Sequence, residues 1–460
     1  MPIGLLNKMN KKYLIKNINI VNEGSIITSD VLIENGLIKK IGVINDSESH
    51  VIDGTNQFLF PGIIDGQVHF REPGLTHKGD LYTESKAAVA GGTTSFIDMP
   101  NTVPNVLTME ILNDKYNIAS KQSLANYGFF LGVNGDNLDE VIKLDKSKLL
   151  GVSDDGLYFT KKGNLLADNP DTMEKLFANC KSIIAIHSEK ESIVEENENH
   201  YKNLYGEDVP VKFHPIIRSE QACYEATKRA IDIANKHNAR LHILHLTTEA
   251  ETHLFRNDIP LKEKKITTEV SVHHLWFSDK DYDKLGTLIK WNPAIKTEKD
   301  KNGLLKALLE DRIDIVTTDH APHSIEEKEK TYFNAMSGAP IIQHSLNIML
   351  EFYKKGQISL EKIAEKMCHN PAILYDISKR GFIREGYYAD LCIVDLNSDW
   401  TVNKDNLLYK CGWSPLEGTS FGTQITHTFV NGNLVYNNGQ FDESYRGQAL
   451  ETSEQVRQQA

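Results

Sequence analysis

Between about residue 61 and residue 378, short apolar runs alternate with helix-like segments, and this rhythm constrains the fold more than any other feature of the chain. "TTSFIDMP", "SIIAIHSE", "ARLHILHLTT", "KKITTEVSVHHL" and "IDIVTTDHAPH" read as strands buried on both faces, as in a parallel sheet. Segments such as "SEQACYEATKRAIDIANKHN" and "KNGLLKALLEDR" between them have the composition and spacing of helices. Strand–helix alternation sustained over so long a stretch predicts an α/β fold of the (β/α)8 barrel type rather than an open sheet.

The two ends of the chain have another character. Residues 1–60 contain alternating runs, "YLIKNINIVN" and "DVLIENGLIKKIGVI", and Asn35-Gly36 between apolar stretches is a hairpin signal. Residues 379–460 repeat the pattern, with Asn431-Gly432 and Asn438-Gly439 as turns. The expectation is one small β-sandwich built from both ends, with the barrel, residues 61–378, between them. The final "ETSEQVRQQA" is polar and is expected to fray.

With 460 residues, 40% of them apolar, the chain has material for a substantial core. Its net charge of −12, without a lysine or arginine stripe, argues against a nucleic-acid partner. No apolar run is long enough to span a bilayer, and the start lacks the order of a secretory signal. Cys180, Cys223, Cys368, Cys392 and Cys411 form no C-x-x-C pair, which fits reduced thiols and a cytoplasmic setting.

The polar residues that end or follow the apolar runs are His69, Asp98, His187, His245 and Asp319. In a barrel of this type, the C-terminal strand ends carry the chemistry. A lone histidine there is usually structural, and His242, His273, His274 and His344 are read that way. Three histidines and an aspartate on successive strands are the ligand set for zinc or a similar divalent ion. "VTTDHAPH" is the strongest single motif: Asp319 can reach a metal and its water, and His323 can meet a substrate carboxylate or carbonyl. In "GVSDDG", Asp154 or Asp155 can bridge two metals, although adjacent carboxylates before a glycine more often make a turn. Arg71 offers a planar fork for a carboxylate, and Asn101 and Asn292 offer amide contacts.

Taken in order, "PGIIDGQVHFREPG", "DMPNT", "IHSE", "HILHLTT", "NPAIK", "TDHAPH" and "KRGFIREGYYADLCIVD" resemble the dihydroorotase branch of the cyclic amidohydrolases, over about residues 13 to 450. The resemblance implies a metal-bearing barrel that reversibly closes N-carbamoyl-L-aspartate to L-dihydroorotate, a step of pyrimidine synthesis. It assigns His69, His187 and His245 as metal ligands and Asp319 as a ligand that doubles as acid and base. It assigns Arg71, Asn101, Asn292 and His323 to the substrate, with Arg71 and Asn101 on the carboxylate. Gln67 stands where the family has its first metal histidine, so that ligand is weak or lost. No lysine matches the family's carboxylated bridge; Asp155 takes that role, with Asp154 the alternative. The resemblance thus implies one tight zinc and a weaker second metal, with manganese or cobalt as other occupants. It further implies a homodimer and raises an association with aspartate transcarbamoylase. "EKEKTYFNAMSGAP" (327–340) is read as a loop over the mouth.

Two rival readings stand beside this one. The first is a related hydrolase of hydantoins, dihydropyrimidines or allantoin, which Arg71 disfavours because an unpaired guanidinium suits an uncharged ring poorly. The second is a catalytically silent homologue serving as an assembly partner, for which Gln67 and the missing lysine are the evidence and the retained His69, His187, His245, Asp319, Arg71 and His323 the evidence against.

Overall fold

The structure, a computed structural model, describes residues 12–145, 149–154 and 170–459. Parallel strands run through Ile63–Val68, Thr93–Asp98, Asn126–Phe129 with Leu131–Gly132, Val152–Ser153, Ile184–Ile186, Leu241–Ile243, Ile266–Ser271 and Ile315–Thr317. The third of these is interrupted at Phe130, where one hydrogen-bonded sheet hands over to the next. A parallel bridge between Val68 and His320 closes the ring, giving the (β/α)8 barrel that the alternation predicts. Helices separate the strands, among them Glu220–His237 and Glu298–Leu309, where the helix-like segments were read.

Side chains from many strands meet in one cluster: Ile64, Ile97, Phe130, Ile183, Ala185, Leu244 and Ile315, with Tyr375 packed among them. Residues from so many strands of a ring can meet only inside it. Strand alternation then fixes what lies at the mouth: Ile183 and Ala185 lead to His187, and Ile315 leads to Asp319. On the first strand a register shift falls between Asp65 and Val68, so Ile64 and His69 need not obey simple alternation.

Both chain ends join in one nine-stranded sheet, in which Leu391–Asp395 pairs antiparallel with Phe58–Pro61. A single core of Ile15, Ile33, Leu59, Leu391, Ile393 and Phe429 holds the two halves together. Asn35-Gly36, Asn431-Gly432 and Asn438-Gly439 all have positive φ at both residues, the requirement of a type I′ hairpin turn. The tail corrects its expectation. Ser453–Gln459 is helical, Thr452 bridges Ile377, and the Ser378 N–H donates to the Glu451 carbonyl. Main-chain pairing, which polar composition does not reveal, holds it down. Among the described residues no helix is long and apolar enough to cross a membrane.

Candidate active site

His69, His187, His245 and Asp319 follow the C-terminal ends of their strands and gather at one mouth of the barrel. Arg71, His245 and Asp319 have φ of 69°, 35° and 47°, a left-handed backbone that costs non-glycine residues energy. Three such residues at one strand-end cluster mark a place where packing holds the chain against its local preference. That pattern is a functional-site signature in its own right.

His69 Nδ1 lies 2.9 Å from the Asn101 side-chain oxygen, and Nε2 lies 3.1 Å from Asp319 Oδ1. The Asn101 oxygen can only accept, so Nδ1 carries the proton and donates. Nε2 is left facing the carboxylate. The His187 and His245 rings meet edge to face at 4.7 Å between centroids. Burial, then the neighbouring His187, His274 and His69, pushes the His245 pKa well below its ordinary value, so this imidazole is neutral. The His187 N–H donates to Asp154 Oδ1 at 2.9 Å, which commits one oxygen of that fully buried carboxylate to holding the strand end. Asp155 lies outside the described residues. Gln67 is fully buried on the first strand.

Among the described residues, no three histidine, cysteine or acidic groups form a set able to hold a metal ion. The ligand residues of the sequence reading come together instead as two pairs, His69 with Asp319 and His187 with His245. The spacing of the first pair suits a divalent cation. The 3.1 Å between His69 Nε2 and Asp319 Oδ1 is close to the ~3.3 Å separating two donors bound at ~2.0–2.1 Å to a tetrahedral zinc. His187 Nδ1 is buried with no hydrogen-bond partner among the described residues, a cost that an electrophile would relieve.

A second cluster lies beside these pairs. Arg71 Nε donates to the Pro322 carbonyl at 3.0 Å, and one terminal nitrogen lies 3.0 Å from His323 Nε2. Lys78 Nζ reaches His323 Nδ1 at 3.1 Å and Glu327 Oε1 at 2.9 Å. Burial, then Arg71, drives the His323 pKa well down, and burial lowers that of Lys78. Hydrogen bonds from His323 and Lys78 hold Glu327 below the usual carboxylate range. Arg71 and Lys78 thus present two cations on either side of a neutral His323 beside the mouth.

The 327–340 segment closes over this cluster. Ser337 Oγ donates to the Asn292 side-chain oxygen at 3.2 Å, and the Ser337 carbonyl lies 3.0 Å from His323 Nε2. Lys328 is fully buried and donates to the Met336 and Gly338 carbonyls at 2.8 and 2.7 Å. Lys290 donates to the Tyr332 and Ala335 carbonyls at 2.6 and 2.7 Å. Two lysines thus satisfy main-chain acceptors that a covering loop would otherwise leave unpaired.

Asp98 departs from the group of strand-end residues. Its carboxylate accepts from the Phe70 N–H at 2.9 Å and pairs with buried Lys115 at 2.7 Å, so it ties a strand to a helix. The histidines read as structural are mostly bound within the scaffold: His242 lies 3.0 Å from Glu269, His274 3.1 Å from the Pro293 carbonyl, and His344 3.2 Å from the Tyr409 hydroxyl. His273 stacks on Trp291 at 4.0 Å. Lys78, Glu327, Lys290 and Lys328 had escaped the sequence reading. Lys78 lies in a turn, Lys290 follows the 3-10 helix Gly286–Ile289, and Glu327 and Lys328 sit in a charged run that reads as a solvated helix.

The chain matches the family model described as "Amidohydrolase family" over residues 58–435. It is 33% identical over 417 residues to a protein named dihydroorotase from Methanosarcina acetivorans, covering 88% of each chain. It is 32% identical to a dihydroorotase from Carboxydothermus hydrogenoformans, covering 92% of this chain and 97% of that one. Among solved structures, an L-hydantoinase (dihydropyrimidinase) from Arthrobacter aurescens superposes with a TM-score of 0.87 at 25% identity, covering 96% of this chain and all of that one. With the family match spanning the whole barrel and relatives of this likeness along most of its length, the chain belongs to the amidohydrolase family.

Proposed function

We propose that the chain is a dihydroorotase, catalysing the reversible cyclisation of N-carbamoyl-L-aspartate to L-dihydroorotate. The observation that carries this reading is the buried cluster of Arg71, Lys78 and His323, whose guanidinium fork and ammonium suit a ring bearing a carboxylate. The names of the relatives from Methanosarcina acetivorans and Carboxydothermus hydrogenoformans support it.

In this proposal Arg71 and Lys78 draw in the substrate carboxylate, and the Asn101 amide group donates to it while its oxygen orients His69. His69, His187, His245 and Asp319, with Asp155 or Asp154 and a weak contribution from Gln67, would hold a divalent cation, zinc first. Such an ion supplies polarisation of the ring carbonyl and a more acidic water. In ring opening, Asp319 accepts the proton of the attacking water and returns it to the departing ring nitrogen; closure runs the same transfers in reverse. Asn292, fixed by Ser337, orients the amide, and the 327–340 cover limits bulk water.

One specific observation favours a second reading. The likeness to the Arthrobacter aurescens hydantoinase keeps uncharged cyclic amides in play as substrates. The test of the proposal is metal content per chain together with ring opening of dihydroorotate by zinc-loaded protein. Bound metal with turnover supports the proposal. No turnover after loading with zinc or manganese contradicts it and favours a silent homologue.

A further inference from the structure

At the opposite end of the barrel lies a cleft of about 750 Å³. Its lining includes Ile183, Arg240 and Lys265, the residues immediately before the strands Ile184–Ile186, Leu241–Ile243 and Ile266–Ser271. It is therefore separated from the candidate active site by the length of the barrel. In a chain of net charge −12, its walls are strongly basic. Lys181, Arg240, Lys262, Lys265, Lys379 and Arg457 line it, against the carboxylates of Asp376 and Glu454. Arg380 also lines the cleft but is neutralised by Asp390.

Like charges do not gather round a concavity without an electrostatic cost, and Arg240 bears part of it. Its guanidinium is half-buried, and its one side-chain hydrogen bond among the described residues goes to the Leu374 carbonyl at 2.9 Å. A guanidinium has five N–H donors, so most of its capacity is unspent. Burial lowers its pKa, with Asp376 only partly offsetting the penalty. Apolar surface lies beside the cations: partly exposed Phe382 lines the cleft, and Ile373 is 39% exposed at it. The volume falls in the ordinary range of small-molecule sites, ~300–1,000 Å³. It is far larger than one inorganic anion requires. The tail helix Ser453–Gln459, held by the Thr452–Ile377 bridge, supplies Arg457 to one wall.

We propose that this cleft is a second ligand site, distinct from the active site, that binds a small phosphorylated anion of nucleotide size. The cations take the phosphate oxygens, with Arg240 as the anchoring fork, and the apolar wall covers the uncharged moiety. A concave site of this size suits a compact polyanion better than an extended nucleic acid.

The test is calorimetric titration of the full chain with ATP and, separately, with inorganic tripolyphosphate. The expected result is saturable binding near one equivalent, tighter for ATP because tripolyphosphate has nothing to place on the apolar wall. The variant Lys181→Gln/Lys265→Gln/Lys379→Gln changes only exposed side chains and keeps the fold. It is expected to weaken ATP binding by roughly tenfold or more, and Arg240→Gln by a similar factor. Dihydroorotate should leave ATP binding unchanged. The proposal is overturned if neither polyanion binds saturably, if the triple-lysine variant binds ATP as wild type does, or if dihydroorotate displaces ATP, which would put the anion in the active site.

Discussion

The two ends of the barrel handle charge in opposite ways. At the mouth, most histidines and several carboxyls are packed out of water and pushed toward their neutral forms, around the few charges kept by Arg71, Lys78 and Glu327. His245 and His323 lie well below the ordinary histidine value, His274 is lowered to about 3, and Asp65 and Glu251 are raised to about 7. At the opposite end, the lysines around an open cleft stay in water, and Arg240 is only half-buried. The same strands feed both ends, so the difference arises from the segments that flank each strand. After the strands come strained backbone and a covering loop; before them come short solvated turns. Burial makes a group's protonation state responsive to its neighbours, which chemistry needs, whereas solvation keeps a charge constant, which suffices for holding an anion.

The contrast breaks most sharply at Asp319. Asparagine tolerates the left-handed backbone at φ 47° and can still meet His69, so Asp319→Asn should fold normally. Its turnover of dihydroorotate should fall by roughly a thousandfold or more. Steady-state kinetics on the folded variant measure this, and a loss within about tenfold would remove Asp319 from proton transfer. Lys78→Met comes next. It leaves Glu327 without its cation beside the substrate carboxylate, and KM should rise by roughly tenfold with a smaller change in kcat.

Glu251 sharpens the contrast through stability. It accepts hydrogen bonds from the Thr227 and Thr248 hydroxyls, and burial raises its pKa from 4.5 to about 7. A carboxyl raised in the folded state stabilises fully below its unfolded value and loses that contribution as pH climbs through the folded one. Wild type should therefore lose stability relative to Glu251→Gln between about pH 4.5 and 7, by on the order of 2–3 kcal/mol, and then run parallel to it. Denaturant unfolding of both proteins across that range reads the gap directly; a gap that is flat with pH would contradict it. The smallest effect is expected at the other end: Lys265→Gln/Lys379→Gln should leave dihydroorotate turnover within experimental scatter of wild type.

Legibility in the sequence depended on how local the signal was. The Asn-Gly turns could be read because two adjacent residues fix their geometry. The equivalent turn at Glu23-Gly24, with φ of 49° and 74°, could not, because glutamate seldom takes a left-handed conformation. His69, His187, His245 and Asp319 were legible because buried strands announce themselves as apolar runs and the barrel puts their ends together. Asp98 gave the same signal yet serves the scaffold, since its partner Lys115 arrives from a helix that the strand pattern does not specify. Glu327 meets His323 as an i,i+4 pair across the helical turn Ile325–Lys328, but Lys78 reaches both only when a loop distant in sequence folds onto them, which no spacing encodes.

The central claim is that charge at the mouth selects a carboxylate-bearing ring. The most direct test is the ratio of kcat/KM for dihydroorotate to that for dihydrouracil, measured on zinc-loaded wild type and on Arg71→Met. Wild type should favour dihydroorotate by roughly a hundredfold or more, and Arg71→Met should collapse most of that preference by losing dihydroorotate turnover. Equal use of both rings by wild type, or a preference that survives in Arg71→Met, would contradict the account.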